Sequence, residues 1–130
     1  SVTGRQKSKG SGYKSFAELL NQASQDVRDL FSDVEAACES MGDDVTSKEL
    51  KLYKAYRRIK NFACLEVHPQ AKQVIAYLKV NPDSTVLEEG FTRDMRGIGH
   101  FGTGDLEVRI RSAEDLRKAM PLLQASYEAS

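Results

Sequence analysis

The sequence predicts an α+β fold: one antiparallel sheet of about four strands, with an N-terminal and a C-terminal helix packed on one face, in the order α-β-β-β-x-β-α. Three observations carry this prediction. Apolar residues recur at helical spacing near both ends of the chain, and alternating runs rich in β-branched and aromatic residues fill the middle. The breaks between those runs are too short for parallel crossovers.

The first helix begins at Ser15, which with Glu18 forms an S-x-x-E capping box where the apolar periodicity starts. Phe16, Leu19, Leu20, Ala23, Val27, Leu30, Phe31, Val34 and Cys38 then lie on one stripe, predicting a single helix that reaches the neighbourhood of Met41. Gly42 is placed to follow its C-terminus, while Asp26, Asp29, Asp33 and Glu39 mark the solvated face. Three runs follow, "LKLYKAYRRI", "NFACLEVHP" and "KQVIAYLKV", read as a meander that the turn residues "NPDS" close. Val86 to Arg96 fits either a short helix or an edge strand. Leu106, Val108 and Ile110 alternate with Glu107, Arg109 and Arg111 as in a half-buried strand. Ser112 caps the last helix, whose apolar stripe is Leu116, Met120, Leu123 and Tyr127. Pro121 inside it removes a backbone donor and is expected to kink or split it.

At 130 residues the chain is one domain, and its 40% apolar and 29% charged residues are ordinary for a globular protein. No apolar run is long enough for a membrane span or a secretory leader. Cys38 and Cys64 fall in a helical and a strand segment, the pattern of buried thiols in a reducing cytoplasm, with a single disulfide as the alternative. Net charge is zero, which excludes whole-protein attraction to nucleic acid or anionic lipid. The distribution is uneven. Residues 1–14 hold Arg5, Lys7, Lys9 and Lys14 and no acid, a flexible basic tail or linker; residues 15–130 form the single domain and carry 15 basic and 19 acidic side chains. The arm and the missing initiating Met suggest a C-terminal domain cut from a larger, cytoplasmic protein.

"GIGHFGTGD", Gly97 to Asp105, matches the dinucleotide fingerprint G-x-G-x-x-G but lacks its context. A pyrophosphate site needs a buried strand before the first glycine and a helix N-terminus after the last. Here "TRDMR" precedes and the period-two run "GDLEVRIR" follows, so a tight turn entering a strand is the reading. Asp94 with Glu107-x-Arg109 approximates a nuclease acid plus E-x-K, but Arg stands where Lys belongs. No close ligand pair such as C-x-x-C points to zinc, and no G-x-S-x-G elbow is present. No metal, cofactor or catalytic residue is therefore assigned.

The basic run is more informative. Lys48, Lys51, Lys54, Arg57, Arg58 and Lys60 are interleaved with Tyr53, Tyr56 and Phe62, a pattern suited to phosphate contact and base stacking. An exposed edge strand guarded by cations is the competing reading. The nucleic-acid candidates are Lys54, Tyr56, Arg57, Arg58, Lys60, Phe62, Arg93 and Arg96. Asp94, Gly97, Gly99, His100, Gly102, Gly104 and Asp105 form a loop signature beside them, in which His100 either lines a ligand pocket or fixes the loop backbone.

The runs "YKAYRRIKNFACLEVHPQAKQVIAYLKV", "RDMRGIGHFGTGDLEVRI" and "SAEDLRKAMPLLQASYE" resemble an uncharacterised prokaryotic C-terminal domain family loosely labelled "predicted transport protein". The resemblance covers roughly residues 16–129. It implies a domain often fused to restriction-type or HNH-type nuclease modules, and hence an accessory role in a nuclease or defence protein. The transport label finds no membrane segment to support it. The partners so implied are DNA or RNA, an upstream domain of the same polypeptide, or a second copy of the chain. A non-catalytic nucleic-acid-binding domain is the leading expectation; an interaction or dimerisation module and a small-ligand sensor or enzyme using the His100 loop are the alternatives.

Overall fold

The computed structural model describes residues 14–130, so the tail expected over residues 1–14 lies, except for Lys14, outside them. The elements are α1 (Phe16–Gln22), α2 (Gln25–Glu39), β1 (Thr46–Glu49), β2 (Lys54–Arg57), β3 (Asn61–His68), β4 (Gln73–Leu78), a 3-10 turn (Pro82–Ser84), β5 (Thr92–Asp94), β6 (Leu106–Ile110) and α3 (Ala113–Glu128). The sheet order is β1-β2-β3-β4-β6-β5, with every neighbouring pair antiparallel.

The class is α+β, but the expected sheet of about four strands with two helices is wrong: among the described residues there are six strands and three helices. The single N-terminal helix breaks at Ala23, whose backbone is extended, and Ser24 caps a new helix by accepting from the Val27 amide. The apolar stripe runs through this break because Phe16 and Val27 both reach the core from their separate helices. β1 was missed because all four of its residues, Thr46 to Glu49, are exposed, so burial imposes no period-two signal. Thr92–Asp94 resolves the ambiguous stretch as an edge strand beside β6. Ser15 and Glu18 do form a reciprocal capping box.

Two further local expectations fail. α3 is a single helix through Pro121, so the expected split does not occur; the proline lies on its exposed side. Gly42 does not have the left-handed backbone of a C-terminal cap; it is small because an added Cβ would meet the Tyr127 hydroxyl.

One sheet face packs against all three helices. Val34 and Cys38 of α2, Leu123 of α3 and Phe16 of α1 meet Tyr56, Leu65, Val74, Leu78 and Val108 there. Cys38 and Cys64 are free and buried, and burial pushes the Cys38 thiol up to about 12. A register shift at Tyr56/Arg57 leaves Phe62 as an extra residue, so adjacent Phe62 and Ala63 both reach this core. Buried Ser126 ties α3 to the sheet, accepting from the Lys79 amide at 2.7 Å and donating to the Phe62 carbonyl at 2.5 Å. The opposite face carries a smaller cluster of Ala55, Cys64, Ile75, Tyr77 and Met95, and the glycine loop folds over it.

Candidate functional site

Antiparallel pairing gathers distant segments at one end of the sheet. The C-terminal ends of β2 and β4, the N-terminal end of β3 and the loop entering β6 all arrive there. Between them lies an open cleft of about 610 Å³. Its cations are Arg57, Lys60, Lys79 and Arg96, its lone carboxylate is Asp105, and Asn61 and Asn81 supply side-chain amides.

The four cations are not equivalent. Arg96 is committed: its guanidinium lies 2.8 Å from Asp94 Oδ2 and 2.9 Å from Asp83 Oδ1. The hydrogen bonds from Arg96 hold both carboxyls below the usual aspartate range. The Arg57 guanidinium donates to the Ile59 carbonyl at 2.7 Å and has no carboxylate partner among the described residues. Among the described residues, Lys60 and Lys79 have no carboxylate partner. Arg57, Lys60 and Lys79 are exposed and open to a ligand.

Part of the cleft lining is the glycine loop, which several contacts hold in place. The Asp105 amide donates to the Leu78 carbonyl at 3.1 Å, and the Met95 amide donates to the Asp105 carbonyl at 2.8 Å. The Thr103 amide reaches Cys64 Sγ at 3.5 Å, and Gly102 approaches the Cys64 side chain closely. The His100 ring stacks on Tyr77 with centroids 4.1 Å apart, and its nitrogens lie 3.0 and 2.9 Å from the Phe101 and Gly104 carbonyls. A neutral imidazole donates to one of those oxygens and the imidazolium to both. In this arrangement His100 holds the loop backbone against the sheet. The glycine run leads into β6 and no helix begins at it, so the amide cradle of a dinucleotide site is absent from this loop.

The sequence-nominated residues separate accordingly. Arg57, Lys60, Arg96, Gly104 and Asp105 line the cleft. Lys54 and the Tyr56 hydroxyl instead converge on Glu35 of α2, beneath the helices. Burial alone would raise the Glu35 carboxyl, but hydrogen bonds from Lys54 and Tyr56 and the charge of Lys54 together bring it below its ordinary value. Arg58 donates to Asp44 at 3.1 Å and lies over the Tyr127 ring. Phe62 is 1% exposed and meets Tyr127 edge-on, so its ring faces the core. Arg93 does not line this cleft; it lies in a smaller depression of about 250 Å³ with Glu89, Phe91 and Arg109. Asp94 pairs with Arg96 rather than with Arg93. It also stands opposite Leu106, whereas Arg93 stands opposite Glu107, so Asp94 and Glu107 do not share a face for joint metal binding.

Lys79, Asn61 and Asn81 were not nominated from the sequence. Lys79 stands alone at the end of an apolar strand, where local counting finds no cluster. Its one available signal was the adjoining turn "NPDS", which places it at a strand end.

The family described as "Domain of unknown function (DUF5655)" matches residues 16–130. An uncharacterized protein of Haemophilus influenzae is 22% identical over 102 residues, covering 78% of this chain and 33% of that protein. The chain thus spans about a third of the length of that relative. No solved structure matches. Among the described residues, no helix is long and apolar enough to cross a membrane.

Proposed function

We propose that this chain, which belongs to the DUF5655 family of domains of unknown function, is a non-catalytic accessory domain of a nuclease or defence-type protein and contacts nucleic acid through the cleft at the sheet end. The observation that carries the reading is the convergence of Arg57, Lys60 and Lys79 on one cleft without carboxylate partners among the described residues. Uncommitted cations gain most from a phosphate, because no existing ion pair has to be broken. Arg5, Lys7 and Lys9 add positive charge near the N-terminus of the sequence. The free thiols of Cys38 and Cys64 accord with a cytoplasmic protein.

Fluorescence anisotropy with labelled single- and double-stranded DNA and RNA tests this reading. Binding should weaken with salt, and the Arg57→Ala, Lys60→Ala, Lys79→Ala triple variant should abolish it. Arg93→Ala, outside the cleft, should leave it intact. Absence of binding at low salt would sink the proposal.

A second reading, docking onto an upstream domain or a second copy, draws on Ile59 and Val86, which are 74% and 90% exposed. Sedimentation of the chain alone and beside its parent protein tests it: a monomer that does not associate counts against docking.

A further inference from the structure

The charge around the cleft limits what can occupy it. Removing Arg5, Lys7 and Lys9 from the nineteen basic residues leaves sixteen against nineteen acids over residues 14–130, a net of −3. A domain with that balance does not attract an extended polyanion at long range. Some of the cations near Arg57, Lys60 and Lys79 in sequence or space are already neutralised. On one side Arg96 is neutralised by Asp83 and Asp94, and on another Arg58 is held by Asp44. Across the outer sheet face, Glu66 lies beside His68 and Glu107 holds Arg109. Lys48, Lys51, Lys72 and Arg93 are also exposed without a carboxylate partner among the described residues, but they do not line the cleft, where Arg57, Lys60 and Lys79 converge.

Asp105 adds a second constraint. It is exposed in the same cleft and, among the described residues, has no basic side-chain partner. A phosphodiester chain laid through the cleft would bring phosphates against this carboxylate. A ligand with one phosphate and a separate hydroxyl or amino face meets both demands: the phosphate lies on Arg57, Lys60 and Lys79, and the donor face points to Asp105. The Asn61 amide can both donate and accept beside it. The open cleft of about 610 Å³ falls in the size range of small-molecule sites.

Resting on the nucleic-acid reading above, we infer that the cleft takes a single nucleotide unit with a terminal phosphate. That unit has two sources, the phosphorylated end of a strand or a free mononucleotide.

The test uses the full chain and short single strands carrying a 5′-phosphate, a 3′-phosphate or hydroxyls at both ends, with AMP and inorganic phosphate as competitors. A terminal phosphate at one end should tighten binding by about tenfold, and Lys79→Ala should remove that advantage. Asp105→Ala should lose the preference for AMP over inorganic phosphate; both variants are checked for fold by circular dichroism. AMP displacing the strand at a concentration near its own strand-free Kd would identify the free nucleotide as the ligand. A strand end bound at least about tenfold more tightly than AMP would identify the strand. Equal binding of all three strands would overturn the inference while leaving the nucleic-acid reading standing. Binding of none of these ligands would overturn both.

Discussion

Gly104 forms the wall of the cleft beside Asp105, and replacing it with alanine probes how that wall is built. Its φ is +136°, and an added Cβ would lie 2.7 Å from the Leu78 amide nitrogen and 2.9 Å from the Leu78 carbonyl oxygen. Both neighbours are backbone atoms of a central strand, so the loop must give way. The backbone conformation costs about 1–3 kcal/mol for a residue with a side chain. Shifting the loop also weakens two bonds, Asp105 to Leu78 at 3.1 Å and His100 to Gly104 at 2.9 Å, each worth about 1 kcal/mol. The sum is about 3–5 kcal/mol, a large part of the total stability of a small domain. Urea unfolding of Gly104→Ala beside Gly99→Ala measures it. Gly99 has open space around it and no positive φ, so its substitution should change stability by no more than about 1 kcal/mol. If Gly104→Ala costs less than about 1 kcal/mol, or no more than Gly99→Ala, the loop does not pack on β4 as described.

Three further outcomes follow from the same geometry. Phe62→Ala should destabilise by about 3–5 kcal/mol in urea, as expected for a buried ring; a small loss of stability with loss of oligonucleotide binding would instead make Phe62 a stacking group. Glu35→Gln should destabilise by about 1–2 kcal/mol at neutral pH by weakening its bonds to Lys54 and Tyr56. Because the folded Glu35 value lies below the unfolded one of about 4.3, its contribution is complete above that pH and is lost as pH falls through the folded value. The gap between wild type and Glu35→Gln should therefore close on acidification; a gap constant with pH would refute the assignment. His100→Ala should cost about 1–2 kcal/mol by freeing the loop carbonyls and should raise amide exchange at Asp105. Unchanged exchange would remove His100 as the residue that holds the loop.

How far the sequence could be read depended on whether a residue's role was local. β3, β4 and β6 were legible as strands because more than half of each one's residues are buried and therefore apolar in the main. β1 was not, since the polar residues of an exposed edge strand carry no such record. The break at Ser24 was hidden by a stripe that two helices share, although Ser24 with Asp26 two residues on is itself a start signal. The charged residues raise the same issue over longer distances. Counting along the chain grouped Lys54, Arg57, Arg58 and Lys60 together, yet Lys54 is matched by Glu35 and Arg58 by Asp44. Lys79, nineteen residues beyond Lys60, joins the cleft only because β3 and β4 are antiparallel.

A free cation is therefore a property of the fold, set by which acids the fold brings near it. The glycine loop belongs to the same argument. Its likeness to a nucleotide fingerprint lies in the letters, but it works as a fitted wall: Gly104 admits the β4 backbone, His100 contacts two carbonyls, and Asp105 lines the same cleft as three cations that have no carboxylate partner among the described residues. In the proposed complex those cations hold the phosphate, and Asp105, in the same cleft, meets the ligand's donor face.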